Sequence, residues 1–149
     1  MKKYKFTGET KTIYLPFGTV TLHRIKAVVE FGLVKVGDLG GWIEKEENLS
    51  HEENAWVYGD AEVCGNAKVF STDHVLVIGA IGSRNDFTTF FRDKDNEITV
   101  KCGCFLGKID KFLEKVTQTH KDTKHTLAYR TAVEVAKLQI DLTEKSTRR

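Results

Sequence analysis

Residues 54–71, NAWVYGDAEVCGNAKVFS, repeat one phrase three times at an interval of six. Val57, Val63 and Val69 mark the interval and Val75 continues it, while Ala55, Ala61 and Ala67 each precede a valine by two positions. Residues two apart in a strand share a face, so each alanine points inward with its valine. Gly59-Asp60 and Gly65-Asn66 then turn the chain, because glycine and Asx residues enter left-handed backbone at little cost. Three short strands and three corners make one turn of a triangular prism, and a six-residue period is a signature of a parallel β-helix. The competing arrangement is a meander of short antiparallel strands with Gly-Asn hairpins.

The run is short. Leu39 lies eighteen residues before Val57 and Ile43 eighteen before Ala61, which suggests one irregular earlier coil. One or two coils leave unpaired strand edges at both ends, so the flanks must cap them. Upstream, alternating residues predict strands near 3–7, 11–15 and 19–29 with a hairpin at Pro16-Phe17-Gly18. Downstream, VLVIGAI (75–81) reads as a buried strand, and strands near 87–92 and 97–102 flank a polar turn at 93–96. The period then changes. Ile109, Phe112, Leu113 and Val116 form the stripe of an amphipathic helix, with Asp110 near its start and Lys121 near its end. Asp122 or Thr123 caps a second helix whose buried face is Tyr129, Ala132, Val133, Ala136 and Ile140.

The 149 residues suit one domain: an N-terminal β cap (1–36), coils (37–81), a hairpin (82–106), two helices (107–142) and a frayed tail (143–149). A net charge of +2, from 23 basic and 21 acidic residues, argues against a nucleic-acid partner. The basic residues near the ends, among them Lys2, Lys3, Lys5 and Arg148, read as solvated tails. Three cysteines, no apolar segment behind the basic N-terminus and no long apolar run suggest reduced thiols in a cytoplasm and no membrane.

Chemistry is sparsely marked. The chain has no phosphate-binding glycine loop, nucleophile elbow or zinc-protease motif. His120 and His125 flank the turn between the helices, and Cys102-Gly-Cys104 is tighter than a zinc knuckle, so neither a metal nor a cofactor is expected. No catalytic residue is expected either. His74 is the one candidate general base, should the hexads belong to an acyltransferase. Trp56, Tyr58 and Phe70 stand at positions that point outward on a β-helix, where they form either a partner or self-association surface or a face that the caps cover. Arg84 and Asp86, in the turn string IGSRNDFTT, extend that candidate surface or staple the turn.

The strings VKVGDLGGWIEKEENLS, AWVYGDAEVCGNAKV and IGSRNDFTTFFRDKDNEITVKCGCFLGKIDKFLEKVTQTH resemble a widespread family of small bacteriophage and prophage proteins. The likeness runs from about Leu22 to Leu138. It implies an α+β fold: a short left-handed parallel β-helix capped by an N-terminal β segment and by a C-terminal β-hairpin with two helices. It supplies no reaction. The expected role is a non-enzymatic phage counter-defence protein that binds a host immune protein, such as a CRISPR effector, with self-association into a homo-oligomer a further expectation. The alternatives are an oligomeric sponge for a nucleotide signal, a hexapeptide-type acyltransferase and a minor virion component.

Overall fold

The computed structural model describes residues 2–120 and 123–143. Two four-stranded sheets and two helices build it. The first sheet has the order β1 (Tyr4–Leu15), β2 (Gly18–Ala27), β3 (Leu39–Ile43) and β4 (Glu62–Val63). The second has the order β5 (Val75–Ile81), β6 (Asp86–Arg92), β7 (Ile98–Cys102) and β8 (Phe105–Lys108). Helices α1 (Ile109–His120) and α2 (Lys124–Gln139) follow, and the Thr123 side chain caps α2 by accepting from the Thr126 amide. Lys121, Asp122 and residues 144–149, which carry the other expected cap and most of the tail, lie outside the described residues.

The expectation of a left-handed parallel β-helix is corrected. Every strand pair is antiparallel except β3 with β4, which is parallel over Trp42↔Glu62 and Ile43↔Val63. An isolated parallel bridge joins Leu49 to Val69. These partners stand twenty residues apart, not eighteen, because a 3-10 turn at Glu46–Asn48 and a left-handed Glu53 enlarge the connection. A two-residue parallel strand cannot satisfy its own edges, so antiparallel hairpins supply the missing partners. On one side β2 pairs with β3; on the other, the Glu62 amide donates to Thr89 Oγ1 of β6 at 3.0 Å.

The inward residues still form the main core. Ala55, Val57, Ala61, Val63, Ala67 and Val69 are all buried, packed with Tyr4, Ile25, Ile43 and Phe91. The small residues matter because the backbone passes close. A Cβ on Gly40 would lie 2.7 Å from Ile25 and Trp56, and one on Gly41 would lie 2.8 Å from the Ala61 carbonyl. That accounts for the glycine pair in GDLGGWIE. Lys3 is not a solvated tail either: it is buried, and its ammonium donates to the carbonyls of Glu52, Glu53 and Ala55, pinning the start of the hexads. The expected strands 3–7 and 11–15 are one long β1, with a register shift between Phe6 and Thr10.

The helices cover one face of the second sheet. Ile98, Val100 and Phe90 meet Phe112, Val116, Tyr129, Val133 and Ala136 in a separate core. Asp93, in the turn before β7, is buried and fixes this region. Its carboxylate accepts from Thr99 Oγ1 at 2.6 Å, from Lys108 Nζ at 2.7 Å and from the Asp95 and Glu97 amides. Burial alone would raise its pKa, but the lysine and threonine bonds outweigh it and hold the carboxyl below the usual range.

Candidate functional site

The site is assembled where two turns and two helices converge. β5 and β6 are joined by Gly82-Ser83-Arg84-Asn85, closed by the Asn85 amide donating to the Gly82 carbonyl at 3.1 Å. β7 and β8 are joined by Gly103-Cys104, with Cys102 facing Phe105 across the ladder. Between these turns and the helices lies a cleft of about 210 Å³. Phe105, Phe112 and Val116 make its wall mainly apolar, with Arg84 and Lys115 as its cations and Cys102, Cys104 and Tyr129 as its reactive groups.

Tyr129 reaches the cleft because Gly82 has no side chain. A Cβ there would sit 1.8 Å from the tyrosine hydroxyl, and Gly82 holds a φ of +84°. Phe112 packs edge-on against the Tyr129 ring at 5.5 Å, and a tilted Phe105 packs on Phe112 at 5.4 Å. Burial, followed by the neighbouring Cys102 sulfur, raises the Tyr129 hydroxyl to about 12. At neutral pH it therefore carries its proton and acts as a hydrogen-bond donor. Cys102 also receives the Thr88 hydroxyl, at 3.3 Å from the sulfur.

A smaller polar cavity of about 130 Å³ lies across Gly103, lined by Lys11, Glu62, Asp86 and Lys101. Glu62 bonds Lys11 at 2.6 Å and Lys101 at 3.0 Å. Burial works against its ionisation, but the two lysines prevail and lower its pKa. Lys101 also donates to the Gly103 carbonyl at 2.6 Å, which fixes the turn carrying Cys104. A third concavity, between β5 and α2, is an apolar groove of about 420 Å³ lined by Ile78, Ile81, Leu127 and Val135, with Lys124 its lone charge.

The residues expected to form an outward row do not do so. Trp56 is 2% exposed, enclosed by Tyr4 and Phe31, because β1 and the 28–34 segment cover that side of the coil. Cys64, at an intervening position of the repeat, is fully buried under Ile13, Leu15, Leu22 and Trp42. Phe70 is partly covered, with His74 edge-on at 4.5 Å and the Arg92 guanidinium over its ring. Tyr58 alone of the three stays half exposed. Arg84 lines the amphipathic cleft and Asp86 the polar cavity beside it. Sequence reasoning missed Lys115, and it read Tyr129 only as a core residue; neither carries a local motif.

His74 does not line the cleft. It is fully buried, its Nδ1 accepts from the Phe70 amide at 3.2 Å, and its Nε2 has no hydrogen-bond partner, though the Asp141 backbone is near. Burial, reinforced by Arg92, lowers its pKa to about 4. A ring sealed from solvent cannot take a proton from an incoming acceptor, so the general-base assignment is dropped. His125 stands at the start of α2, and the His120 side chain lies outside the described residues. Among the described residues, no group of three or more His, Cys, Asp or Glu is placed to hold a metal ion, and no helix is long and apolar enough to cross a membrane.

No protein-family model matches the chain. A curated relative does: "Uncharacterized acetyltransferase YdcK" of Escherichia coli (strain K12), 35% identical over 83 residues. The match covers 48% of this chain and 26% of the relative, so the chain spans about a quarter of the length of the curated protein it matches. The likeness fits the hexapeptide pattern in coarse form. It also overturns the expectation of a non-enzymatic protein, which rested on the absence of familiar motifs, and favours the acyl-transfer alternative over the counter-defence reading.

Proposed function

We propose that the chain binds an acyl thioester in the cleft between the β5–β6 turn, the β7–β8 turn and the helices, and serves transfer of its acyl group. The observation that carries this reading is the similarity to an acetyltransferase. The cleft suits such a donor. Phe105, Phe112 and Val116 offer an apolar wall for a flexible arm, and Arg84 and Lys115 offer cations for phosphate groups at its far end. The protonated Tyr129 hydroxyl supplies a donor for the oxygen that becomes negative when the thioester carbonyl is attacked.

Calorimetric titration with acetyl-CoA, paired with a thiol-release assay over small amines and alcohols, tests the reading. Saturable binding with acceptor-dependent thiol release is the expected result. Absence of both at millimolar donor would overturn it.

A further inference from the structure

We propose that Cys102 is the first acceptor of the acyl group, so that transfer proceeds through a thioester on the protein. The inference rests on the acyl-transfer reading above and deepens it. Its basis is the contrast among the three cysteines. Cys64 is sealed beneath the first hairpin, and burial followed by Glu44 pushes its thiol up to about 12, so it is chemically silent. Cys104 is exposed on the two-residue turn at the cleft rim. Cys102 is half-buried at the end of β7, on the face that packs against the helices, and opens into the cleft.

Two hydroxyls lie beside the Cys102 sulfur. Thr88, its cross-strand neighbour on β6, is buried and donates at 3.3 Å. The Tyr129 hydroxyl comes from α2 through the gap that Gly82 leaves and lines the same cleft beside Cys102. A sulfur that opens onto the apolar wall and the two cations of the cleft is placed to meet the carbonyl of a thioester bound there. The step balances without any further reactant. Cys102 Sγ attacks the carbonyl carbon, the bond from that carbon to the donor sulfur breaks, and the Cys102 proton passes to the departing thiolate, while the Tyr129 hydroxyl donates to the carbonyl oxygen. A new thioester on Cys102 and a free donor thiol result. An amine or alcohol then attacks that thioester, takes the acyl group and returns the proton to Cys102.

The test is mass spectrometry of the full chain after incubation with acetyl-CoA and no acceptor, with peptide mapping. The expected result is a gain of one acetyl group on Cys102, removed by hydroxylamine and absent in Cys102→Ser. Tyr129→Phe should slow the labelling roughly a hundredfold while leaving the ring packing intact. Thermal melting of both variants separates these losses from unfolding. Calorimetric binding of acetyl-CoA with no adduct, or an adduct confined to Cys104, would overturn the inference while leaving the acyl-transfer reading standing. No binding at all would overturn both.

Discussion

Residues 39–69 bury alanines and valines along a backbone that pairs in parallel over only a few positions, whereas residues 75–140 bury phenylalanines and a tyrosine between a regular antiparallel sheet and two helices. The two regions divide the work. In the first, small side chains let backbone pass within contact distance of backbone, as at Gly40 and Gly41. In the second, large rings standing edge to edge cannot close the space where the turns meet the helices, and a cleft remains. Close packing by small residues makes a rigid support; imperfect packing of large ones makes a place to bind.

The largest expected effect lies in the first region. Trp56→Ala removes the biggest fully buried side chain and should cost about 3–5 kcal/mol, read as a lowered denaturant midpoint. In the second region, Gly82→Ala drives a methyl group against the Tyr129 hydroxyl at a left-handed position. A cost of about 2–3 kcal/mol is expected. Acetyl-CoA affinity should fall as well, and a variant that binds normally would detach Tyr129 from the site.

Asp93→Asn comes next, at about 2 kcal/mol near neutral pH, since it weakens the bond from Lys108. The sign of its pH dependence follows from its lowered pKa. The folded carboxyl titrates below the unfolded one, so its stabilisation is present above the unfolded value and is lost as pH falls through the folded one. Denaturation curves across that acid range should show the decline in the parent chain and a weaker one in the variant. The smallest effect is Tyr58→Ser, within about 0.5 kcal/mol, because this ring is half exposed. Set beside Trp56, two positions earlier, it measures how far the first hairpin covers the coil.

That pair also marks what the sequence could convey. The six-residue period correctly put Ala55 and Val57 inside, because it reports which residues share a face. It carries no information on which segment lies next to that face. Whether Trp56 meets a partner or a cap is therefore left open by the period, and β1 buries it; a β-helix was expected where β2 and β6 flank one brief parallel pair. The helix stripe Ile109, Phe112, Val116 was legible for a local reason, since the 3.6-residue repeat is a property of the helix alone. Arg84 and Cys102-Gly-Cys104 stood out as turn chemistry. Their meeting with Lys115 and Tyr129 depends on contacts between Gly82 and α2, forty-seven residues away, and no local spacing encodes it.

Chemical-shift mapping of an acetyl-CoA titration, with the backbone amides assigned, tests the account most directly. The account predicts saturable changes concentrated at residues 82–86, 101–106, 112–119 and around Tyr129, with the amides of residues 55–69 unmoved. Changes centred on the coil, or none at all, would contradict it.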